Sequence, residues 1–298
     1  MDNVLFKGIM SALVSPVRED GSIIEESVRR LTEWHIAEGF TGFYLCGATG
    51  EGVVMQPGDR MRLAEVAKDA VGSHAKLIAH VGAVDLKSAV ALARHAGEIG
   101  LDAISSVPPF FYGYGEKEIR AYYTAIAEAA GIPVLIYASP LAGTAITWDM
   151  VDRLLDIPRV IGLKWTNYDY YTMRRIKELR GGNINVINGP DECLLCGLAM
   201  GADGGIGACY NVMPKVFQTI YTSFQNGDMK AAQEAQFKAN KLITVLIRFG
   251  VIPGIKALLA SIGYDCGQCT SPMKRFDEEE RAHFLKEVKG LNYEKDYL

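Results

Sequence analysis

The chain has 298 residues, of which 49% are hydrophobic and 22% are charged, with a formal net charge of −4. This composition is typical of a globular domain and argues against disorder. Charges of both signs are interspersed, so there is no basic footprint for nucleic acid, and no apolar stretch has the length of a membrane span. Residues 1–7 lack the pattern of a signal peptide. We therefore expect a cytoplasmic protein.

Eight short apolar runs alternate with amphipathic segments along most of the chain. The apolar runs predict strands at 8–14, 42–46, 76–81, 102–107, 134–137, 160–164, 184–188 and 204–207. Helices are predicted between them at 25–38, 59–71, 86–99, 116–130, 148–155 and 171–179. Eight strands alternating with helices in about 225 residues predict an α/β protein with a (β/α)8 TIM barrel. A doubly wound open sheet is the alternative, because the number of strands does not establish that the sheet closes.

Only helices are predicted after the eighth strand. They cover 214–225, 228–248, 252–262 and 277–289, and Pro253 marks the start of one of them. The first completes the barrel, and the others predict a C-terminal helical extension. Since no flexible linker separates the two parts, we predict a catalytic barrel at 1–226 and an extension packed on it at 227–298.

The six cysteines include two C-x-x-C pairs, and such pairs can hold zinc. The second pair begins at Cys266, 70 positions after Cys196 (266 − 196), which is far from the compact spacing of a zinc ribbon. Cys193 and Cys196 lie in an apolar helical pattern, where cysteine serves as a small core residue. The five histidines show no metal-ligand spacing. We therefore predict neither a metal site nor disulfides.

A single lysine, Lys164, interrupts the apolar run 160–166 at the end of the sixth predicted strand. Burial disfavours the charged form of an amine, so a buried Lys164 would be a stronger nucleophile. An activated lysine at a strand end of a parallel barrel can form a Schiff base with a keto acid. The alternative is a lysine that closes its strand and points to solvent, and the run alone leaves both interpretations open.

The second and fifth strands also end in residues that can take part in chemistry, which a barrel places at its carboxyl-end loops. The glycine-rich turn 47–52 can hold a carboxylate with its N–H groups, and the Thr49 hydroxyl can add a hydrogen bond. A plain turn is the alternative. Tyr137 ends the strand next to that of Lys164. Its hydroxyl can move protons beside an amine–keto acid adduct, or it can be a core tyrosine whose hydroxyl reaches the rim.

The seventh and eighth strands end in acidic and glycine-rich segments. Asp191 and Glu192 stand at a helix start, where they can complement the helix dipole or bind the hydroxyl groups of a polyol. Residues 201–208 are rich in glycine. Such a segment can admit a phosphate, which many barrels bind after strands seven and eight, or let the carboxylate of a keto acid approach the backbone.

Together these segments resemble the dihydrodipicolinate synthase / N-acetylneuraminate lyase family of class I aldolases. The resemblance covers nearly the whole chain and rests on residues 47–51, Tyr137 followed by Pro140, 162–164 and 201–207. It implies a TIM barrel with a helical C-terminal extension, usually assembled as a homotetramer. It also implies a pyruvate Schiff base on Lys164 and no metal or other cofactor.

Several segments are more similar to the lyases of this family than to the synthases, namely 76–82, 164–171, 188–192, 210–211 and 241–256. In the lyases, the pair that matches Asp191 and Glu192 helps to hold sugar hydroxyl groups. The synthases usually carry an arginine shortly after the tyrosine, whereas residues 140–144 contain none. Without that guanidinium a dicarboxylate substrate loses its bidentate partner, so dihydrodipicolinate synthesis is disfavoured.

Three positions depart from the family pattern. Ala48 stands where Ser or Thr is frequent, and Ala208 stands where the lyases tend to have Ser. Phe111 occupies the position of a second tyrosine that reaches across a subunit interface, and Tyr112 or Tyr114 could supply that hydroxyl. Each loss is of order 1–3 kcal/mol if the partner group stays buried and unpaired. These changes are compatible with a substrate other than sialic acid.

The sequence thus predicts a class I aldolase or lyase that cleaves a 2-keto-3-deoxy sugar acid, with N-acetylneuraminate as the leading substrate. The predicted catalytic residues are Lys164, Tyr137 and Thr49, and the predicted substrate-binding residues are Ala48, Thr166, Gly189, Asp191, Glu192, Ile206, Gly207 and Ala208. The partner expected is a small keto acid or sugar acid. Alternatives are an aldolase or dehydratase for another keto acid, such as 2-keto-3-deoxygluconate, a dihydrodipicolinate synthase-like enzyme, and a non-catalytic relative that binds pyruvate-like ligands.

Overall fold

Eight parallel strands form a closed barrel in the computed structural model, which describes residues 3–298. Each strand pairs with its neighbour in chain order, and the eighth pairs with the first. This closure confirms the predicted TIM barrel and excludes the open sheet. The strands are β1 Gly8–Ala12, β2 Gly42–Leu45, β3 Lys76–His80, β4 Ala103–Ser106, β5 Val134–Ala138, β6 Val160–Trp165, β7 Asn185–Asn188 and β8 Gly204–Gly207.

One helix of at least six residues follows each strand. The eight helices are α1 Glu25–Ala37, α2 Pro57–Val71, α3 Leu86–Glu98, α4 Glu116–Ala130, α5 Trp148–Leu154, α6 Tyr170–Lys177, α7 Leu194–Ala199 and α8 Pro214–Gln225. The predicted ends differ where local geometry intervenes. Helix α2 begins two residues early because proline is favourable in a first turn, and beyond α6 the backbone of Arg180 turns left-handed.

Apolar side chains fill the inside of the barrel and the layer between strands and helices as two separate clusters. The inner cluster includes Met10, Tyr44, Ile78, Leu135 and Ile187, one from each of five strands. Because β6 is buried on both faces, its sequence is a nearly continuous apolar run without alternation. A lysine within such a run is therefore a conspicuous exception.

The C-terminal part consists of α9 Met229–Phe249, α10 Val251–Ser261, α11 Glu278–Gly290 and the short α12 Tyr293–Asp296. The predicted boundary at residue 226 falls in the turn between α8 and α9, which pack against each other. The division into two parts remains a prediction, and residues 1 and 2 lie outside the described part. Within the described part, no single helix is long and apolar enough to span a membrane. Helices α9 and α10 reach the required length and hydrophobicity only when taken together, and that pair is bent by 114°.

The cysteine pairs form no metal site in the part of the chain that the structure describes. Residues 3–298 contain no group of three or more His, Cys, Asp or Glu side chains that could hold a metal ion. All six cysteines are free thiols, and Cys266 and Cys269 are buried. Cys193 is half-buried and Cys196 is exposed, so the first pair lies at the surface of α7 rather than in the core.

Candidate active site

Lys164 and Tyr137 lie side by side near the carboxyl ends of β6 and β5. The two residues are paired in register, and each is 5% exposed. The Lys164 Nζ lies 4.6 Å from the centroid of the Tyr137 ring and 4.6 Å from that of Tyr44. Aromatic faces attract a cation, which offsets part of the cost of burying it. The predicted adjacency is confirmed, and the alternative of a solvent-facing lysine is wrong.

A β-bulge in β6 turns Lys164 toward the inside of the barrel. Val134 of β5 pairs with Val160, but Leu135 pairs with Gly162, so one residue of β6 is skipped. Ile161 belongs to the inner cluster, and simple alternation would then place residue 164 on the outer face. The extra residue reverses this alternation, as bulges commonly do next to active sites. Gly162 permits it, since a Cβ there would lie 1.9 Å from the Asn185 carbonyl oxygen.

The groups beneath the Lys164 amine are held neutral. Burial, with the nearby charges of Arg60 and Lys164, lowers the pKa of His80 to about 3, so its ring is uncharged. Burial raises the pKa of Tyr44 well above its ordinary value, and its hydroxyl donates to Ser105 at 3.0 Å. The Lys164 amine is therefore bordered by the Tyr44 and Tyr137 rings and by an uncharged His80 ring.

The glycine-rich turn after β2 places two unused amides at the barrel mouth. The turn is closed by hydrogen bonds from Glu51 N–H to the Ala48 carbonyl and from Gly52 N–H to the Gly47 carbonyl, both 3.1 Å. Among residues 3–298, no hydrogen bond uses the amide of Ala48 or Thr49 as its donor. Thr49 is buried, and its side chain lines the same cavity as Lys164. The turn can therefore receive a carboxylate.

Asp191 and Glu192 stand across the cavity in the loop after β7. Asp191 is 7% exposed, and its Oδ2 accepts a hydrogen bond from the Cys209 amide at 2.7 Å. Burial raises the pKa of Asp191 to about 6, although the Cys209 amide acts in the opposite direction. The Glu192 carboxylate accepts a hydrogen bond from the Tyr168 hydroxyl. The loop thus presents two oxygen-rich groups to the cavity.

Helix α9 fixes this loop from outside the barrel. The Gln236 side chain donates to the Asp191 carbonyl at 3.1 Å and accepts from the Leu195 amide at 3.0 Å. The Asn240 side chain donates to the Glu192 carbonyl at 3.1 Å. The backbone of the two acidic residues is therefore held by the C-terminal part of the chain.

A cavity of about 390 Å³ brings together ten of the eleven predicted site residues. Its walls also contain seven residues that were not predicted, namely Ser139, Pro140, Leu141, Tyr168, Pro190, Val251 and Ile252. Ser139, Pro140 and Pro190 follow strand ends, so their position in the sequence could have indicated that they belong to the site. Val251 and Ile252 come from α10, and nothing in the sequence indicates that they reach the cavity.

Gly207 is the predicted site residue that does not line the cavity. It lies behind Asp191, and a Cβ at Gly207 would lie 2.1 Å from the Asp191 Oδ1. Gly189 has a similar place beside Thr166, whose Oγ1 would lie 2.0 Å from an added Cβ. Glycine at these positions makes room for the polar side chains of the site.

The positions that depart from the family pattern lie on the surface or the rim. Phe111 is 84% exposed with φ +81°, and Tyr112 is 67% exposed; neither lines the cavity of its own chain. Ala48 and Ala208 do line it, without a hydroxyl. Lys164 is the only cationic side chain among the described residues of the cavity wall. A second carboxylate on the substrate would find no positive partner there.

A closed parallel barrel with polar side chains gathered at the carboxyl ends of its strands is the architecture of a TIM-barrel enzyme. The sequence matches the model of the dihydrodipicolinate synthetase family over residues 5–291. The chain belongs to this family, as its strand-end motifs predicted.

The relatives that match over nearly the whole chain include N-acetylneuraminate lyases. One, from Rhizobium meliloti (strain 1021), is 36% identical over 283 residues, which are 95% of this chain and 94% of that protein. CdNal from Clostridium difficile in complex with mannosamine superposes with a TM-score of 0.91 at 34% identity, covering 96% of this chain and 99% of that one. A catalytic lysine mutant of the Ruminococcus gnavus sialic acid aldolase gives a TM-score of 0.93 at 29% identity, with 98% of both chains covered.

Proposed function

We propose that this protein is a class I lyase that reversibly cleaves N-acetylneuraminate to pyruvate and N-acetylmannosamine through a Schiff base on Lys164. The observation that carries the proposal is the buried Lys164 amine in register with Tyr137. A similar protein from Ruminococcus gnavus is a sialic acid aldolase with a catalytic lysine. The N-acetylneuraminate lyase of Rhizobium meliloti supports the choice of substrate.

The first step joins Lys164 to the substrate. The neutral amine attacks the C2 carbonyl carbon of the open-chain keto acid, and loss of water leaves a protonated imine. The N–H groups of Ala48 and Thr49 hold the carboxylate at C1, and the Thr49 hydroxyl adds a further hydrogen bond. This binding fixes the carbonyl carbon in reach of the amine.

The second step breaks the bond between C3 and C4. The Tyr137 hydroxyl gives its proton to the water that leaves when the imine forms, and the resulting phenolate accepts the proton of the C4 hydroxyl. C4 thereby becomes the aldehyde carbon, and the electron pair of the broken bond moves into the imine to give an enamine. The aldehyde then leaves, Tyr137 returns the proton to C3, and water hydrolyses the imine to release pyruvate. Because the imine nitrogen takes up the electrons, the proposed chemistry requires no metal or other cofactor.

The opposite wall of the cavity binds the hydroxyl groups of the sugar. Asp191 and Glu192 accept hydrogen bonds there, and the Thr166 Oγ1, which is enclosed and has no hydrogen-bond partner among the described residues, completes the set. Two carboxylates favour a polyol tail and repel a second carboxylate. This arrangement supports a sugar acid over the dicarboxylate product of a dihydrodipicolinate synthase.

An aldolase or dehydratase for a different 2-keto-3-deoxy acid is the second candidate. Ala48 and Ala208 favour it, because Ala48 lacks a hydroxyl that is frequent in the family and Ala208 lacks one that the lyases tend to have. A panel of 2-keto-3-deoxy acids that differ in tail length separates the two candidates by their kcat/KM values. A relative that binds pyruvate without turnover would show no cleavage of any acid in the panel.

We also propose a cytoplasmic homotetramer. The exposed Phe111 and Tyr112 rings pack edge-to-face at 5.0 Å beside the barrel mouth. Exposed aromatic pairs of this kind are suited to an interface with a second subunit. Light scattering coupled to size exclusion tests the assembly, and a monomeric mass would overturn it.

The proposed Schiff base is tested by borohydride reduction in the presence of pyruvate, followed by peptide mass mapping. We expect one reduced adduct, on Lys164. Lys164→Ala should lose both the adduct and all cleavage activity while its melting temperature stays close to wild type. Lys87→Ala, on the exposed surface of α3, is the matched control and should keep both. A folded wild-type protein without an adduct would overturn the proposed function.

A further inference from the structure

Two tyrosine side chains join the segment after β6 to the loop after β7: Tyr168 lies in the loop before α6, and Tyr170 is the first residue of α6. The Tyr168 hydroxyl donates a hydrogen bond to the Glu192 carboxylate. Two residues later, the Tyr170 hydroxyl lies 3.1 Å from the Cys193 carbonyl oxygen and 3.2 Å from the Asn188 Oδ1. The loop after β6 is thereby tied to the loop after β7 on both sides of Glu192.

The backbone of Tyr168 is fixed although its ring is 66% exposed. The Asn167 side chain accepts a hydrogen bond from the Asp169 amide at 2.9 Å, which closes a tight turn around Tyr168. The Asp169 carboxylate then accepts from the Thr172 amide at 2.9 Å and caps α6. Tyr168 lines the cavity, and the turn and the helix cap hold its backbone on both sides.

Glu192 is held at its backbone by α9 and at its carboxylate by a single side chain of the described residues. Its carbonyl accepts from Asn240, whereas within residues 3–298 Tyr168 is the one hydrogen-bond donor to its carboxylate. The hydrogen bond to Glu192 raises the pKa of Tyr168 to about 12, so the phenol stays protonated and donates at neutral pH. Without this donor, the carboxylate could rotate freely about the side-chain bonds of glutamate.

We infer that Tyr168 is a positioning residue that aims the Glu192 carboxylate at the hydroxyl tail of the substrate and so sets selectivity for long-tailed aldehydes. The inference rests on the proposed function. A carboxylate can accept several hydrogen bonds, and Tyr168 uses one of them, which leaves the rest for the sugar. A carboxylate that is already oriented need not be ordered again with each substrate molecule, which lowers the KM.

The test is the condensation reaction, in which pyruvate and the aldehyde are varied separately. Tyr168→Phe removes the hydroxyl and keeps the ring. We expect the KM for N-acetylmannosamine to rise about 3- to 10-fold, whereas kcat and the KM for pyruvate change less than about twofold. The KM for glyceraldehyde, which has no long tail, should not change. Tyr171→Phe, 68% exposed and outside the cavity wall, is the matched control and should resemble wild type.

A second variant shows whether Tyr168 acts through Glu192. In a Glu192→Ala background, which lacks the acceptor, Tyr168→Phe should add little further increase in the KM for N-acetylmannosamine, because the two changes remove the same interaction. Independent, multiplying effects would overturn the inference, as would an equal rise in KM for both aldehydes or no rise for either. Borohydride trapping of pyruvate separates this result from the proposed function. If the wild type traps pyruvate and Tyr168→Phe shows no tail effect, only the positioning role is wrong.

Discussion

The ion pair between Glu51 and Lys256 provides a sharp test of how the C-terminal part supports the site. The Lys256 Nζ lies 2.6 Å from the Glu51 Oε1, and the two side chains are 3% and 0% exposed. The second Glu51 oxygen accepts from the Thr270 amide, and Lys256 also donates to the Gln268 carbonyl at 2.9 Å. Glu51 belongs to the turn that carries Ala48 and Thr49, so the pair links α10 to the proposed carboxylate-binding turn.

Lys256→Met leaves the Glu51 carboxylate buried without a cation. Removing one partner of a buried pair costs about 3–5 kcal/mol, because the remaining charge is uncompensated. With an unfolding entropy of about 2.1 cal/mol/K per residue over 298 residues, this loss corresponds to a fall in melting temperature of about 5–8 °C. The turn should also loosen, so we expect the KM for pyruvate to rise while Lys164 still forms its adduct.

Thermal unfolding followed by circular dichroism measures the effect, with two further variants as controls. Lys230→Met breaks a pair with Glu234 whose side chains are 87% and 69% exposed, and it should shift the midpoint by less than about 1 °C. Glu51→Gln combined with Lys256→Met removes both charges and should be more stable than Lys256→Met alone. A melting temperature of Lys256→Met within 1 °C of wild type would refute the reasoning.

Three further predictions concern the cavity. Tyr137→Phe should lower kcat about 10²-fold or more while borohydride still traps pyruvate, and a near-normal kcat would exclude an acid–base role. Because the pKa of Asp191 is raised to about 6, kcat/KM for N-acetylneuraminate should fall about tenfold between pH 7 and pH 5 as the carboxylate is protonated, and Asp191→Asn should lack this fall. The raised pKa of Asp191 also stabilises the folded state at low pH. This contribution to the free energy of unfolding is complete below pH 3.8, the ordinary pKa of the side chain, and is lost as the pH rises through about 6. Asp191→Asn should therefore flatten the pH dependence of the free energy of unfolding over this range. Gly189→Ala should displace the Thr166 hydroxyl and destabilise the fold by about 1–3 kcal/mol, whereas Gly58→Ala, whose Cβ would meet no atom within 4 Å, should not destabilise it.

The strands and their order could be predicted because each strand carries its own signal. A strand buried on both faces is a continuous apolar run, and Lys164 is conspicuous because it breaks one. The direction of its side chain could not be predicted. The β-bulge beside Gly162 depends on how β6 pairs with β5, and the hydrophobic pattern of β6 alone does not reveal this register shift.

Glycines in the site illustrate a second limit of sequence reasoning. A glycine-rich segment at a strand end predicted close approach of a ligand to the backbone at Gly207. In the structure, the Asp191 side chain fills the space where a Cβ of Gly207 would stand. A glycine pattern indicates that something must come close to the backbone. It does not distinguish a ligand from another part of the same chain.

In the proposed function, the two ends of the substrate meet residues of different kinds. We place the reacting end at Lys164, Tyr137 and the turn at Thr49, all at strand ends that the barrel fold itself brings together. We place the tail at Glu192, which is hydrogen-bonded by Tyr168, and at a wall that includes Ile252 of α10. These tail contacts join loops and a helix from separate parts of the chain, so they can change without altering any strand-end motif. Substrate selectivity can therefore differ between relatives that share the whole reactive set, and Tyr168 is the residue at which we expect this chain to show it.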